Sequence, residues 1–268
     1  MPTLIIGMYY NRGRGAVIIS DSRLQIGTDY YTVRKIFEIT EGLIFSASGY
    51  SGIADELIET VQNRIRTLQA VRTETEALSL YDIVRLAGDT ESEIFYRYKM
   101  GERPIFRSDD TILEAIIGYV LEKTPRLYLL HESGFPERIR DPPFRAIGDG
   151  SRHANSILKR LYNPRLSKER AIEIGVHAII QTSKIDAVVD DNPQVATIEE
   201  DGCTLWNIEQ NGDFNASNEQ IVNIKEKING VGEKQDILFN LLLDGPDELA
   251  TSFNKLVEEY QRSGSAED

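Results

Sequence analysis

The order in which strand-like and helix-like patterns follow each other along these 268 residues most restricts the possible fold. Apolar, β-branched and aromatic residues dominate roughly the first 50 positions, as they do in paired strands. Two amphipathic helices follow, then more strands, two further helices and a final strand pair. Strands grouped in blocks with helix pairs between them predict two stacked sheets covered by helices on both sides, rather than a doubly wound parallel sheet.

Periodicity and turn residues locate the individual elements. Two strand pairs are predicted before residue 50, and the first strand begins at Thr3. The helices predicted from a spacing of about 3.6 residues cover 51–68, 78–98, a segment ending near Tyr162 and a segment capped by Ser167. The later strands are predicted over 113–119, 126–131, 144–147, 194–198 and 204–208, the last two joined by Asp201-Gly202.

The pattern becomes helical after the last predicted strand. The four residues from Ser217 resemble a capping box, Pro246 suits the first turn of a final helix, and helical periodicity continues to Gln261. We therefore expect one sandwich domain over 1–210 and a helical C-terminal extension over 211–268 that ends in a mobile tail.

Composition excludes several classes of function. A formal net charge of −13 argues against binding to nucleic acid, because the phosphates would be repelled. The single cysteine, Cys203, excludes an intrachain disulfide framework, and its place at a strand start favours packing over catalysis. No apolar run approaches the ~18 residues that span a bilayer, and the first residues lack the features of a signal peptide. We therefore expect a cytoplasmic globular protein without a membrane partner.

Metal and phosphate sites are not predicted. The three histidines are far apart in the sequence, and one cysteine cannot complete a zinc motif with them. Asp190 and Asp191 are interpreted as solvated loop residues rather than as cation ligands. The helix after Gly148-Asp149-Gly150 could bind an anion at its N-terminus, but the Asp149 carboxylate would repel one, so a tight turn is favoured. We expect no cofactor.

One set of residues near the N-terminus forms a pattern with known chemistry. Its members are Thr3 with Gly7 four positions on, Asp21-x-Arg23, Lys35 before Ile36-Phe37, and Gly49. This pattern resembles that of the β-type subunits of the 20S proteasome family. Gly148-Asp149-Gly150-Ser151 and Asp186 fall where that family has a Gly-Ser-Gly-Ser turn and an aspartate. The resemblance spans roughly residues 3–209 and implies an α+β fold, the four-layer αββα sandwich of the family.

The resemblance implies an N-terminal-nucleophile hydrolase, a threonine-type peptidase. Thr3 would be the nucleophile, and its own α-amine, with an ordinary pKa of about 7.7–8.0, would accept the hydroxyl proton. Lys35 would favour deprotonation of both groups, and Asp21 would keep Lys35 charged and oriented. The backbone N–H of Gly49 would donate to the oxyanion. A peptide bond would then be cleaved through an acyl-enzyme.

The same resemblance implies further roles and partners. The residues implied to support the catalytic group are Arg23, Asp149, Ser151 and Asp186. The residues implied to line an apolar substrate pocket are Leu24, Val33 and Ala47. The implied partners are peptide or unfolded protein substrates, and copies of the chain or other proteasome-type subunits assembled in a ring.

Three positions depart from the family pattern. Met1-Pro2 precede Thr3, so the α-amine can act as a base only after both residues are removed. Asp149 stands where the family has a serine near that amine, and a carboxylate there would raise the pKa of the amine. Val189 replaces the serine that follows the counterpart of Asp186, which removes a hydroxyl from the site.

Three alternatives therefore stay open. The chain could be a proteasome-fold subunit that assembles without cleaving, although the joint presence of Asp21 and Lys35 favours activity. The acyl-enzyme could be resolved by an amine, which would give ligation rather than hydrolysis. Pro2 could act as a general base, as the N-terminal proline of tautomerases does, but nothing else in the sequence matches that class.

Overall fold

The computed structural model describes residues 3–26, 28–71, 80–100, 113–131, 135–207, 215 and 217–230. The chain divides into two units, Met1–Ile221 and Val222–Asp268. All of the numbered helices and strands below belong to the first unit.

The elements follow the block order predicted from the sequence. The first strands are β1 (Leu4–Tyr10), β2 (Gly15–Ser20), β3 (Arg23–Ile26), β4 (Asp29–Thr32), β5 (Ile36–Thr40) and β6 (Leu43–Gly49). The helices that follow are α1 (Ser51–Val71) and α2 (Leu80–Phe95), the second continuing as a π-helix over Tyr96–Met100. The next strands are β7 (Leu113–Leu121), β8 (Thr124–Leu130), β9 (Glu137–Arg138) and β10 (Phe144–Gly148). The last numbered elements are α3 (Ser151–Leu161), α4 (Lys168–Ser183), β11 (Gln194–Glu199) and β12 (Gly202–Leu205).

The strands build two antiparallel sheets of five strands each. The first sheet has the order β10-β1-β2-β11-β12, the second has the order β5-β6-β7-β8-β9, and β3 pairs with β4 in a separate hairpin. Side chains from both sheets, such as Ile18 and Ile116, share one buried apolar cluster between them. A second cluster joins α1 and α2 to the outer face of the second sheet, and α3 and α4 pack on the first sheet. The predicted αββα sandwich is confirmed.

Strand β1 is buried on both faces, which explains its continuous apolar sequence. Ile5 packs in the cluster between the sheets, whereas Met8 points to α4, where a Cβ on Gly175 would lie 3.2 Å from Met8 Cε. The register pairs Leu4 with Gly148 of β10 on one side, and Ile5 with Ser20 of β2 on the other. Thr3 therefore lies beside the ends of two neighbouring strands, β10, which ends at Gly148, and β2, which ends at Ser20.

Most predicted elements agree with the structure, and a few differ. The predictions missed the β3–β4 hairpin and the two-residue strand β9. The cap of the helix at residues 219–230 is Asn218, whose Oδ1 accepts from the N–H of Gln220 at 3.1 Å, so the capping box predicted from Ser217 is wrong. The helical prediction beyond residue 230, with Pro246, lies outside the described residues.

Candidate active site

The three side chains predicted to be catalytic meet at one end of the two sheets. Thr3 precedes β1, Asp21 follows β2, and Lys35 precedes β5. Lys35 Nζ donates hydrogen bonds to Thr3 Oγ1 and to Asp21 Oδ1, the second at 2.8 Å. The exposed fractions of Thr3, Asp21 and Lys35 are 0%, 0% and 1%, so the contacts form away from bulk solvent.

Backbone groups hold the Asp21 carboxylate in place. The N–H of Leu4 donates to Asp21 Oδ1 at 2.9 Å, and the N–H of Arg23 donates to Asp21 Oδ2 at 3.2 Å. The N–H of Asp21 in turn donates to the carbonyl oxygen of Leu4 at 3.1 Å. Because Leu4 follows Thr3 directly, the carboxylate is fixed relative to the threonine as well as to Lys35.

Burial governs the charge state of this pair. It lowers the pKa of Lys35, because the interior disfavours the ammonium, and the Asp21 carboxylate opposes that shift. Burial also raises the pKa of Asp21, and the Lys35 ammonium and the N–H of Leu4 oppose that shift. A lysine whose pKa is lowered beside a hydroxyl is typical of catalytic sites, because it exchanges protons more readily than a solvated lysine.

Two glycines lie at the same end of the sheets. Gly148 ends β10 with a φ of +87°, and a Cβ there would lie 2.2 Å from Thr3 O and 2.7 Å from Ser48 Oγ. Only a residue without a side chain fits so close to the threonine backbone. Gly49 ends β6 with a φ of +133°, just before α1. The role of its N–H as an oxyanion donor stays a prediction.

Two buried polar residues that were not predicted as site residues also contact this region. Asp190 is 6% exposed and accepts from the N–H of Ser22 at 3.0 Å and from Ser22 Oγ at 2.8 Å. The interpretation of Asp190 as a solvated loop residue is therefore wrong. Gln194 is completely buried at the start of β11, and its Oε1 accepts from the N–H of Lys35 at 2.8 Å. A polar residue at the start of a mostly apolar strand was the one signal for it in the sequence.

The comparison with protein families agrees with this geometry. The family model described as Proteasome subunit matches residues 3–198. The chain belongs to the proteasome subunit family. The match covers both sheets as far as β11, together with Thr3, Asp21 and Lys35.

Curated relatives of this proteasome family member include several β subunits. Proteasome subunit beta 2 of Korarchaeum cryptofilum is 23% identical over 71% of this chain and 89% of its own length. Proteasome subunit beta of Jonesia denitrificans is 28% identical over 66% of this chain, which spans 55% of that relative. Proteasome subunit beta 2 of Ignicoccus hospitalis is 22% identical over 72% of this chain and 83% of its own length.

The family resemblance implies that Arg23, Asp186 and Ser151 support the site, and each of them has its own set of neighbours. Arg23 donates from Nη1 to the carbonyl oxygen of Ala187, and its guanidinium lies 5.0 Å from the centre of the Tyr30 ring. Asp186 Oδ1 accepts from the N–H of Val188 at 3.2 Å. Ser151 is the first residue of α3. Their roles in a proteasome-type reaction stay predictions.

Two of the three departures from the family pattern, Asp149 and Val189, lie close to these groups, and Met1-Pro2 lie outside the described residues. Asp149 is exposed, yet partial desolvation raises the pKa of its carboxyl, and repulsion from Asp186 adds to that shift. Val189 is 1% exposed, and a Cβ on Gly150 would lie 3.0 Å from its Cγ2. An apolar side chain therefore packs behind the turn, where the family has a hydroxyl.

Two of the predicted pocket residues lie in strands, Leu24 in β3 and Ala47 in β6, and Val33 directly follows β4. Leu24 and Val33 are half-buried, and the N–H of Val33 donates to Ser22 O at 2.8 Å. Ala47 is 5% exposed and packs with Ile53 in the apolar cluster beneath α1. Their role in lining a substrate pocket stays a prediction.

The remaining candidate chemistry is distant from this proteasome-type site. Cys203 lies in β12, its Sγ contacts Gly42 O at 3.3 Å, and burial raises the pKa of its thiol to about 12. In the described part of the chain, no three His, Cys, Asp or Glu side chains are grouped so that they could hold a metal ion. None of the described helices is both long enough and apolar enough to cross a bilayer.

Proposed function

We propose that this proteasome family member is a threonine-type peptidase with Thr3 as its nucleophile. One observation carries the proposal: Lys35 Nζ donates to both Thr3 Oγ1 and the Asp21 carboxylate, and all three residues are buried. A buried lysine and carboxylate are costly to desolvate, so their contact with one hydroxyl favours a chemical role over a structural one.

The reaction begins with attack by Thr3 on a peptide carbonyl. Once Thr3 is the first residue, its neutral α-amine accepts the hydroxyl proton while Oγ1 forms a bond to the carbonyl carbon. The carbonyl π electrons move to the oxygen, and the N–H of Gly49 donates to the resulting oxyanion. The Lys35 ammonium lowers the pKa of the hydroxyl and stabilises the negative charge that develops on Oγ1.

Collapse of this intermediate gives an acyl-enzyme. The C–N bond breaks, the leaving amine takes the proton from the α-ammonium of Thr3, and an ester to Oγ1 remains. Water, deprotonated by the same α-amine, then attacks the ester carbonyl carbon. The bond from that carbon to Oγ1 breaks, the α-ammonium returns the proton to Oγ1, and the second product leaves as a carboxylic acid. An amine in place of this water would give ligation, which is the same chemistry with a different acceptor.

The proposal requires that the residues before Thr3 are removed. While Pro2 is attached, the nitrogen of Thr3 is an amide, which cannot accept a proton at neutral pH. The intact mass of the purified protein is the deciding measurement. A chain that begins at Thr3 and gains the mass of an epoxyketone or a β-lactone supports the proposal. A chain that begins at Pro2 and gains no adduct contradicts it.

Variants of Thr3 separate a peptidase from a silent subunit. Thr3→Ala should abolish cleavage of fluorogenic peptides, whereas Thr3→Ser keeps a hydroxyl and should retain part of it. Thr204→Ala, at an exposed position of β12, is the matched control and should cleave like the wild type. Cleavage by Thr3→Ala would show that another nucleophile acts. Product analysis with an added peptide amine distinguishes hydrolysis from ligation.

Assembly and location belong to the same proposal. We expect copies of the chain, alone or with other proteasome-type subunits, to form a ring that acts on peptides or unfolded proteins in the cytoplasm. Native mass spectrometry of the full chain and of Thr3→Ala tests this, since both should give the same oligomer. A monomer under all conditions would contradict the ring.

A further inference from the structure

The connection between α4 and β11, residues 184–193, together with Gln194 at its end, reaches the segments that carry Asp21 and Lys35. Arg23 Nη1 donates to Ala187 O, Ser22 donates to Asp190, and the backbone of Lys35 donates to Gln194. These contacts join residues 159 to 168 positions apart in the sequence. Local structure cannot form contacts over such separations. The connection therefore stabilises, through tertiary contacts, the end of the sheets where Thr3, Asp21 and Lys35 meet.

Asp190 holds the residue that follows Asp21. Both of its oxygens are used: Oδ1 accepts from the N–H of Ser22 at 3.0 Å and Oδ2 from the hydroxyl of Ser22 at 2.8 Å. The N–H of Asn192 also donates to Oδ1 at 3.2 Å, which fixes the carboxylate within its own loop. Because Ser22 lies between Asp21 and Arg23, this contact fixes the direction in which the Asp21 carboxylate leaves the backbone.

Gln194 holds the backbone on both sides of Lys35. Its Oε1 accepts from the N–H of Lys35 at 2.8 Å and from the N–H of Ile36 at 3.2 Å. Its Nε2 donates to Val33 O at 2.5 Å. A completely buried amide thus uses both of its ends on the short segment that carries the lysine. The lysine backbone cannot shift unless these bonds break.

We propose that Asp190 and Gln194 are positioning residues that together hold Asp21 and Lys35 in contact with Thr3. Asp190 bonds to Ser22, and Gln194 bonds to the backbone of Lys35 and its neighbours, so each acts on the site through an adjacent residue. The inference rests on the proposed role of Lys35 in the peptidase reaction. It goes beyond that role, because it assigns to the connection before β11 the task of setting the geometry of the site.

Asp190 acts through charge as well as through geometry. Several charged groups face Lys35: Asp21 and Asp190 favour the ammonium, Arg23 disfavours it, and Asp149 interacts with it from the turn before α3. Removal of the negative charge at Asp190 therefore lowers the pKa of Lys35 further below its ordinary value. Gln194 is neutral, so its loss changes position without removing a charge.

The Gln194→Met variant tests position alone. It keeps the length of the side chain and removes the bonds to Val33, Lys35 and Ile36. Because a small misplacement of a catalytic group is costly, we expect kcat for peptide cleavage to fall roughly 10- to 100-fold with little change in KM. The matched control is Gln181→Met on α4, which should cleave like the wild type. The kcat of Gln194→Asn, which keeps a shorter amide, should lie between the kcat of Gln194→Met and that of the control.

The Asp190→Asn variant tests the charge. The amide keeps an acceptor for the N–H of Ser22 and removes the negative charge near Lys35. Activity that needs the ammonium is lost when Lys35 deprotonates, so the alkaline limb of kcat/KM should move to lower pH by about one unit. Asp191→Asn, at the exposed neighbouring position, is the control and should leave this limb in place. Gln194→Met should lower the rate without moving the limb.

A direct titration of Lys35 separates this inference from the peptidase proposal. NMR of ε-¹³C-lysine in Thr3→Ala, with Lys35→Arg used to assign the signal, reports the pKa of Lys35 without any turnover. A lower pKa in Asp190→Asn supports the inference even if the wild type cleaves nothing. An unmoved pKa in Asp190→Asn overturns the role of its charge, and an unchanged kcat in an active, folded Gln194→Met enzyme overturns positioning. If Gln194→Met does not fold, the rate of Gln194→Asn decides the same point.

Discussion

At one end of the two sheets the strands are joined by short turns, whereas at the other end the connections are long and lead to buried charges. The turns at the first end are residues 11–14, 41–42, 122–123 and 200–201. Their positive-φ residues include Glu122 and Lys123, both exposed. At the opposite end, Asp21 and Lys35 are inaccessible and the neighbouring Gly148 contacts the backbone of Thr3. We name these the turn end and the catalytic end.

The two ends differ in how much the burial of charged residues costs the folded state. Charged residues at the turn end are solvated, so each contributes little to the free energy of unfolding. At the catalytic end, Asp21 and Lys35 lose their hydration, and their mutual contact only offsets that loss. Such an arrangement persists because the surrounding strands fix it. The catalytic end should therefore be sensitive to changes that the turn end tolerates.

The largest expected effect is on stability, from Asp21→Ala. The variant leaves Lys35 buried without its carboxylate partner, which we expect to lower the free energy of unfolding by about 3–5 kcal/mol. Asp201→Ala, which removes an exposed carboxylate at the turn end, should change it by about 0.5 kcal/mol or less. Urea unfolding at one protein concentration measures both. Equal losses would remove the contrast between the two ends.

A pair of glycine substitutions sharpens the same contrast. Gly148 and Gly42 have similar φ values of +87° and +75°, so alanine is strained at both, by about 1–2 kcal/mol. Only at Gly148 would the new Cβ also meet other atoms, Thr3 O at 2.2 Å, whereas Gly42 has open space. Gly148→Ala should therefore lose about 1–3 kcal/mol more than Gly42→Ala in the same unfolding experiment. A larger loss at Gly42 would contradict the packing at Thr3.

The pH dependence of cleavage should respond to Asp149. Its carboxylate favours the protonated α-amine of Thr3, and only the neutral amine can act as a base. Asp149→Ser therefore lowers the pKa of the amine, and the acidic limb of kcat/KM should move to lower pH by about one unit or less. Asp201→Ser removes the same charge at the turn end and should leave the limb unmoved. A shift to higher pH in Asp149→Ser would reverse the assigned sign.

The smallest effect is expected at Cys203. Its thiol has a pKa raised to about 12 by burial and contacts Gly42 at the turn end. Cys203→Ser should leave the rate of peptide cleavage unchanged. Iodoacetamide at pH 8 should label the thiol much more slowly in the folded protein than in urea, because the thiol remains protonated. Fast labelling of the folded protein, or loss of activity in the variant, would contradict this assignment.

Regular, buried elements were predictable from the sequence. The β-branched and aromatic run from Thr3 predicts a strand, which the structure shows as β1, and Ser167 caps α4 as expected, accepting from the N–H of Arg170 at 3.3 Å. The β3–β4 hairpin was not predicted, because Tyr30 and Tyr31 at its exposed strand do not alternate with apolar residues that face a core. All four residues of β4 are exposed, and the register pairs them with Arg23 to Ile26 of β3.

The candidate active site was predictable only in part. The resemblance to a family pattern singled out Thr3, Asp21 and Lys35, which the structure brings together. Nothing local distinguishes Asp190 from the adjacent Asp191, because its burial depends on Ser22, which lies 168 positions earlier. A partner that is distant in the sequence thus decides which of two adjacent aspartates is buried. The pattern of a single sequence does not show which distant residues become partners.

The register of β1 has a consequence for when the site exists. Thr3 is synthesised well before the residues that complete its surroundings, because its neighbour Leu4 pairs with Gly148 of β10, and Lys35 is held by Gln194, 159 positions later. A nascent chain from which β11 has not yet emerged has the Thr3 hydroxyl. It lacks Gln194, which holds the backbone of Lys35. A partly synthesised chain therefore contains Thr3 without the contacts that Lys35 and Gly148 make around it in the folded protein.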